Sequence, residues 1–280
     1  MTQMTQMTQI TAAVLLALAL AHRAEAQAAL IDVMTRHGVE LPGKSFEAAF
    51  DAGLVPAVPV AAGAFATPLA MLAVATGGER VAAAYAFGIL AGRSAPAAAP
   101  AELAAASQAL VQMIGSGDRK SRIAGARVAG RVLAAAFHPG GARPPVPAGL
   151  SDGLFALLNQ PNELEQLAAM DALGLIRDAQ AVAALTERYT FYRAAGKRAL
   201  AGGALEALAR IGDASAVELV KTVAVDRWAE GNDATALAVA FARERLLKDG
   251  SIVIIQQAVD DKPRRAQARG YLQELAAPLP

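Results

Sequence analysis

Seventeen residues of this chain occur twice. Ala169 to Leu185 reads AMDALGLIRDAQAVAAL, and Ala204 to Val220, 35 positions on, reads ALEALARIGDASAVELV. The copies agree at Ala169/Ala204, Ala172/Ala207, Leu173/Leu208, Ile176/Ile211, Asp178/Asp213, Ala179/Ala214, Ala181/Ala216 and Val182/Val217. A period of this length is the mark of stacked supersecondary units. Within each copy Ala169, Met170, Leu173 and Ile176, or Ala204, Leu205, Leu208 and Ile211, fall at i, i+1, i+4 and i+7, one face of a helix. Asp178 or Asp213 follows at once, placed to accept from the free N–H groups of a new helix. A second apolar set then begins at Ala181 or Ala216. The predicted unit is helix, tight Asp turn, helix. One such pair cannot cover its own apolar face, so neighbouring units must stack.

The segments ALGLIRDAQAV and ALARIGDASAV resemble the HEAT repeat, in the bacterial form often called the phycobilisome-lyase HEAT-like repeat. The shared pattern is a small-residue-rich helix, then Ile-x-Asp, then Ala-Val. The match is good over about residues 150–250. Asp118 to Leu133 resembles a first helix with its Asp cap and an early Arg122, and Arg80 to Leu90 is another candidate. Gly88, Gly130 and Gly174 fall at similar points of these helices, where they allow close approach. Ser251–Val259 and Arg264–Leu275 are expected to close the stack. The resemblance implies an all-α fold, an α-solenoid of about five antiparallel helix pairs in a right-handed superhelix, that binds other proteins. It implies no particular reaction.

Composition agrees. Hydrophobic residues make up 55%, with alanine the largest share, and aromatics only 5%. Alanine is the best helix former. A net charge of +1 gives no bulk attraction to nucleic acid or acidic membranes. The chain has no cysteine, which removes disulfides, thiol nucleophiles and zinc–thiolate sites.

The amino-terminal stretch differs from the rest. Ile10 to Ala21 is an unbroken apolar run, short for a bilayer span, followed by Ala24-Glu25-Ala26 before Gln27. This predicts a signal peptide over residues 1–26 and an exported, periplasmic or secreted protein, although the start lacks Lys and Arg. Ala52 to Gly78 carries no charge, but Gly53, Pro56, Pro59, Gly63 and Pro68 interrupt it. It is read as a connector and then a buried helix from about Pro68, not a membrane span. Residues 27–67 are predicted as short helices, broken around Gly38–Gly43, plus the connector. The stack would occupy 68–280, with units at about 68–92 and 101–137 and an irregular loop at His138–Gly149, which holds four prolines and three glycines. Ser151 is expected to cap the following helix, and Asn162 with Glu165 resembles a capping box.

The sharpest motif match is Gly38 to Ser45, GVELPGKS, which fits a phosphate loop with Lys44 and Ser45 in its chemical positions. Such a loop needs a buried strand before it. The stretch LIDVMTRH is short and charged, so a Gly/Pro turn with a solvated lysine is the expectation. His37 and His138 sit in predicted loops far apart, and no His-Glu dipeptide of the di-iron HEAT hydroxylases occurs. No catalytic, cofactor or metal residue is assigned.

The binding features are basic. Lys120, Arg127 and Arg131 fall at i, i+7 and i+11, within about 40° of one another, beside the apolar arc of Ile123, Ala126, Gly130 and Leu133. Arg188 and Arg193 flank Tyr189 and Tyr192, and Arg beside exposed Tyr is a frequent interface hot spot. The alternative is a solvated face with the aromatics packed in the seam between units. Trp228 is expected in packing. The combined expectation is a non-enzymatic scaffold that binds a protein or peptide along the surface of successive second helices, without cofactor, nucleic acid or membrane span. The runners-up are a lyase-like enzyme or enzyme subunit, and a binder of an anionic polymer through the basic stripe.

Overall fold

A computed structural model describes residues 24–54, 56–58, 60, 63–91, 100–134, 146–225 and 233–276. The predicted signal core, His138 and Trp228 lie outside the described residues. All regular structure among the described residues is helical. Residues 24–36 form α1. Then come α2 (Phe46–Asp51), α3 (Ala66–Val74), α4 (Gly77–Ala91), α5 (Pro100–Ile114), α6 (Arg119–Leu133), α7 (Leu150–Leu158), α8 (Glu163–Leu175), α9 (Val182–Ala194), α10 (Arg198–Ile211), α11 (Ala216–Lys221), α12 (Asp233–Leu247), α13 (Ile252–Gln257) and α14 (Arg265–Ala276). No described helix is long and apolar enough to cross a membrane.

The even helices form an inner row: α4 packs on α6, α6 on α8, α8 on α10, and α10 on α12. The odd helices lie outside it, α3 on α4, α5 on α6, α7 on α8, α9 on α10 and α11 on α12. Small residues let the inner row close up. A Cβ added to Gly130 would stand 2.7 Å from Ala172 Cα, and one added to Gly174 would stand 2.7 Å from Ala207 Cα. At Gly88 it would meet the Phe50 ring at 2.8 Å and Val128 at 3.1 Å. These meeting points all fall in the last third of their helices, so α4, α6, α8 and α10 run the same way.

The Asp118 cap forms as the sequence predicts, Asp178 caps the 3-10 turn that leads into α9, and Asp213 closes a turn ahead of Ser215, the cap position of α11. Asp118 accepts from Ser121 N at 2.8 Å, Asp178 from Gln180 N at 3.0 Å and Asp213 from Ser215 N at 2.8 Å. Before the last two aspartates the chain turns through the left-handed region, at Arg177 (φ +53) and at Gly212 (φ +76), equivalent positions of the two copies. Asn162 also caps, accepting from Leu164 N at 3.1 Å and Glu165 N at 3.3 Å. The box stays half built, because Glu165 instead receives Arg122 Nε at 2.6 Å.

Two expectations are corrected, and the turn expected at Gly38–Ser45 is found. The Asp178 turn joins α8 to α9, yet α9 lies mainly on α10, and α11 mainly on α12. Paired by contact, the unit is therefore α7/α8 or α9/α10, and the Asp turn is the connection between pairs. Ser151 does not cap α7. It lies inside the helix, whose cap position is Gly149, and its hydroxyl donates to Asp178 at 2.6 Å. The phosphate-loop match follows helix α1 and not a strand. Pro42–Lys44 is a single 3-10 turn, and Ser45 Oγ accepts from Ala48 N at 3.1 Å as the cap of α2. His37 is buried, with Nδ1 2.8 Å from Val33 O.

Candidate binding cleft

Helices that run the same way in a row leave one shared face. Across that face of α4, α6, α8 and α10 lies a cleft of about 600 Å³. Its floor is apolar: Val81 from α4, Ile123 from α6, and Leu164 and Leu167 from α8. Ala199 and Gly203 of α10 leave the space open. Leu164 is 61% exposed, a large apolar side chain left in water. At the mouth, the first turn of α6 supplies Arg119 and Lys120, both exposed. At the other end a second hollow of about 710 Å³ continues toward α14, and Asp51, Asp171 and Arg210 line both.

That inner end is densely charged. Arg210 is nearly buried, its side chain 10% exposed, and three carboxylates converge on it. Asp171 lies at 2.7 Å, Glu274 at 2.8 Å and Glu206 at 3.5 Å. Burial pushes the Glu206 carboxyl up to about 7, against the pull of Arg210. The Tyr271 hydroxyl also bonds Glu206 and accepts from Gln267 Nε2 at 2.8 Å. Burial and the Glu206 charge hold the Tyr271 phenol well above its ordinary range. At this end the cleft itself is lined by four carboxylates (Glu47, Asp51, Asp171 and Glu206) against two guanidiniums, Arg127 and Arg210, while the adjoining hollow adds Glu274 together with Arg131, Lys262, Arg265 and Arg269.

The predicted binding residues divide. Lys120 is exposed at the cleft mouth. Arg127 and Arg131 lie on the same face but are turned to internal work. Arg127 pairs with Asp51 and, at 3.7 Å, with Glu47, and it lies over the Phe50 and Tyr85 rings at 5.5 and 5.8 Å. Arg131 stacks 3.4 Å from the Phe50 ring centroid and donates to Phe50 O at 2.8 Å. The expected solvated stripe is instead the bed on which α2 rests. Beside it Tyr85 donates to Glu47 at 3.2 Å, and burial raises its phenol to about 12.

The second cluster is corrected more fully. Tyr189 and Tyr192 are 3% and 1% exposed. With Leu185 they form the i, i+4, i+7 stripe of α9 that packs into the core, so neither is a surface anchor. Arg193 donates to the Tyr189 hydroxyl at 2.9 Å, and Arg188 to Asn159 Oδ1. None of the four lines the cleft. The aromatic that α9 does expose is Phe191.

Asp171, Glu206, Arg210 and Glu274 escaped the sequence reading. A signal was present. Asp171 and Glu206 are the same position of the two copies, an acid on the flank of each apolar face. No known protein-family model matches the chain, and no characterised protein matches it.

Proposed function

We propose that this chain is an exported, non-enzymatic scaffold of the HEAT type, about five antiparallel pairs wound into a right-handed superhelix, and that it grips a protein or peptide in the cleft across α4, α6, α8 and α10. One observation carries the reading: four successive, similarly directed helices present a preformed apolar floor with Leu164 left in water. The repeat pattern and the chain of neighbour contacts support the solenoid. In the sequence unit these are the first helices, so the cleft lies on them and not on the second helices where the binding surface was expected. Binding would draw on shape and many small contacts, with little ordering of the protein itself.

The test is position-specific. A photo-crosslinking residue at Ile123, inside the cleft, is expected to trap a stoichiometric protein or peptide from the periplasmic or secreted fraction, and one at Phe191 is not. Equal trapping at both positions, or none at Ile123, removes the reading.

A second reading is an enzyme or enzyme subunit. It is favoured by Glu206, whose carboxyl near neutrality beside Arg210 and Tyr271 suits proton transfer in a cleft. The anionic-polymer reading is weakened, since Arg127 and Arg131 spend their charge on α2.

A further inference from the structure

The two ends of the cleft carry opposite charge. Arg119 and Lys120 stand exposed on the first turn of α6. Two turns along the same helix, Arg127 marks the level of the carboxylate-rich end, where the charge of Asp171 reaches it. Two helical turns and the adjoining residue span about 12 Å. Between the poles lie Ile123, Leu164 and Leu167, with no charge of their own. At the far pole the cleft is lined by Glu47, Asp51, Asp171 and Glu206 against Arg127 and Arg210, and Arg210 is already shared among three carboxylates. A ligand that places an anion at the mouth, apolar groups over Leu164 and a cation at the far pole meets its complement at each point. A ligand of uniform charge is repelled at one end.

We infer that the cleft docks an extended peptide in which an acidic and a basic side chain, separated by apolar residues, lie about four residues apart, the acid at Arg119 and Lys120 and the base at Asp171 and Glu206. This deepens the scaffold reading and rests on it. The spacing follows from the rise of an extended strand, about 3.4 Å per residue, over the distance between the poles. The charge pattern fixes which end of the peptide lies at which end of the cleft. It also sets specificity by rejection, because like charges brought together cost more than a rim pair gains.

Fluorescently labelled synthetic peptides are the probe, followed by anisotropy with the whole protein. One has lysine, leucines and glutamate at the inferred spacing. The others carry lysine at both ends, or glutamate at both ends. The mixed-charge peptide is expected to bind best. Arg119→Glu combined with Lys120→Glu, both on the exposed first turn of α6, is expected to weaken it on the order of tenfold and to improve the doubly basic peptide by a similar factor. Unchanged circular dichroism and melting temperature exclude misfolding of the double variant. Binding indifferent to charge pattern, or a double variant that weakens all peptides alike, overturns this inference. The Ile123 crosslink, read separately, then says whether the cleft still holds a partner.

Discussion

The two flanks of α10 are built on different principles. Toward α8, the backbone itself is the contact surface: Gly174 and Ala207 approach so closely that a Cβ on the glycine would strike Ala207 Cα at 2.7 Å. Toward α12, a Cβ on Gly202 would sit 3.5 Å from the Ala238 and Thr235 side chains, an ordinary contact. Side chains fill the gap there, with the Arg210 guanidinium over the Phe241 ring at 5.8 Å. The repeat is strict where main chains touch and fades where side chains fill the gap. Backbone approach tolerates one residue type per position, whereas side-chain packing accepts many volumes.

The sharpest way to break this contrast acts on both flanks at once. Arg210 joins Asp171 on α8 to Glu274 on α14 from its seat on α10. Arg210→Ala leaves three carboxylates facing one another and is expected to cost about 3–5 kcal/mol by denaturant unfolding. A loss below 1 kcal/mol, on this same scale, would mean the network holds nothing together. The next test concerns the tight flank alone. Gly174→Val is expected to destabilise by about 1–3 kcal/mol or more, since the obstacle is backbone and cannot rotate away. Unchanged stability would show that α8 and α10 can part without cost.

A smaller effect comes from Glu206, which lies between the flanks. Its folded carboxyl is raised from 4.5 to about 7, so the folded state holds a proton that the unfolded state releases. That contribution is complete below 4.5 and is lost as pH rises through about 7. Stability is therefore expected to fall on the order of 1 kcal/mol between pH about 5 and about 8, and Glu206→Gln to flatten the slope. An unaltered slope in the variant would assign the pH dependence elsewhere. The smallest effect sharpens the loose flank. Gly202→Ala adds a methyl where there is room and is expected to gain up to about 1 kcal/mol from helix propensity. Destabilisation there would mean that α12 packs as tightly as α8.

What the sequence made legible was local or periodic. The Asp118, Asp178 and Asp213 carboxylates act on amides two or three residues away. Gly88, Gly130 and Gly174 stood out by recurring at a fixed place in successive helices. What stayed hidden depends on which helix packs on which. The pairing of α9 with α10 decides that Tyr189 and Tyr192 turn inward, and the packing of α2 on α4 brings Phe50 and Asp51 within reach of Arg127 and Arg131. Neither follows from helical periodicity, which gives a face without naming its neighbour. The partners of Arg210 come from residues 171, 206 and 274, and only the first two share a repeat position.

The aromatic pairs also have a consequence for assembly. A row of like helices is open at both edges, and each open edge is a template for another molecule of the same kind. In a chain so poor in rings, Phe50 with Tyr85 covers the α4 edge, and Phe241 with Tyr271 lies at the α12 edge. Guanidiniums sit over both phenylalanines and all four rings are buried, so each pair lies as packed hydrocarbon beneath charge. Loss of either pair is expected to bare apolar surface at an end of the row.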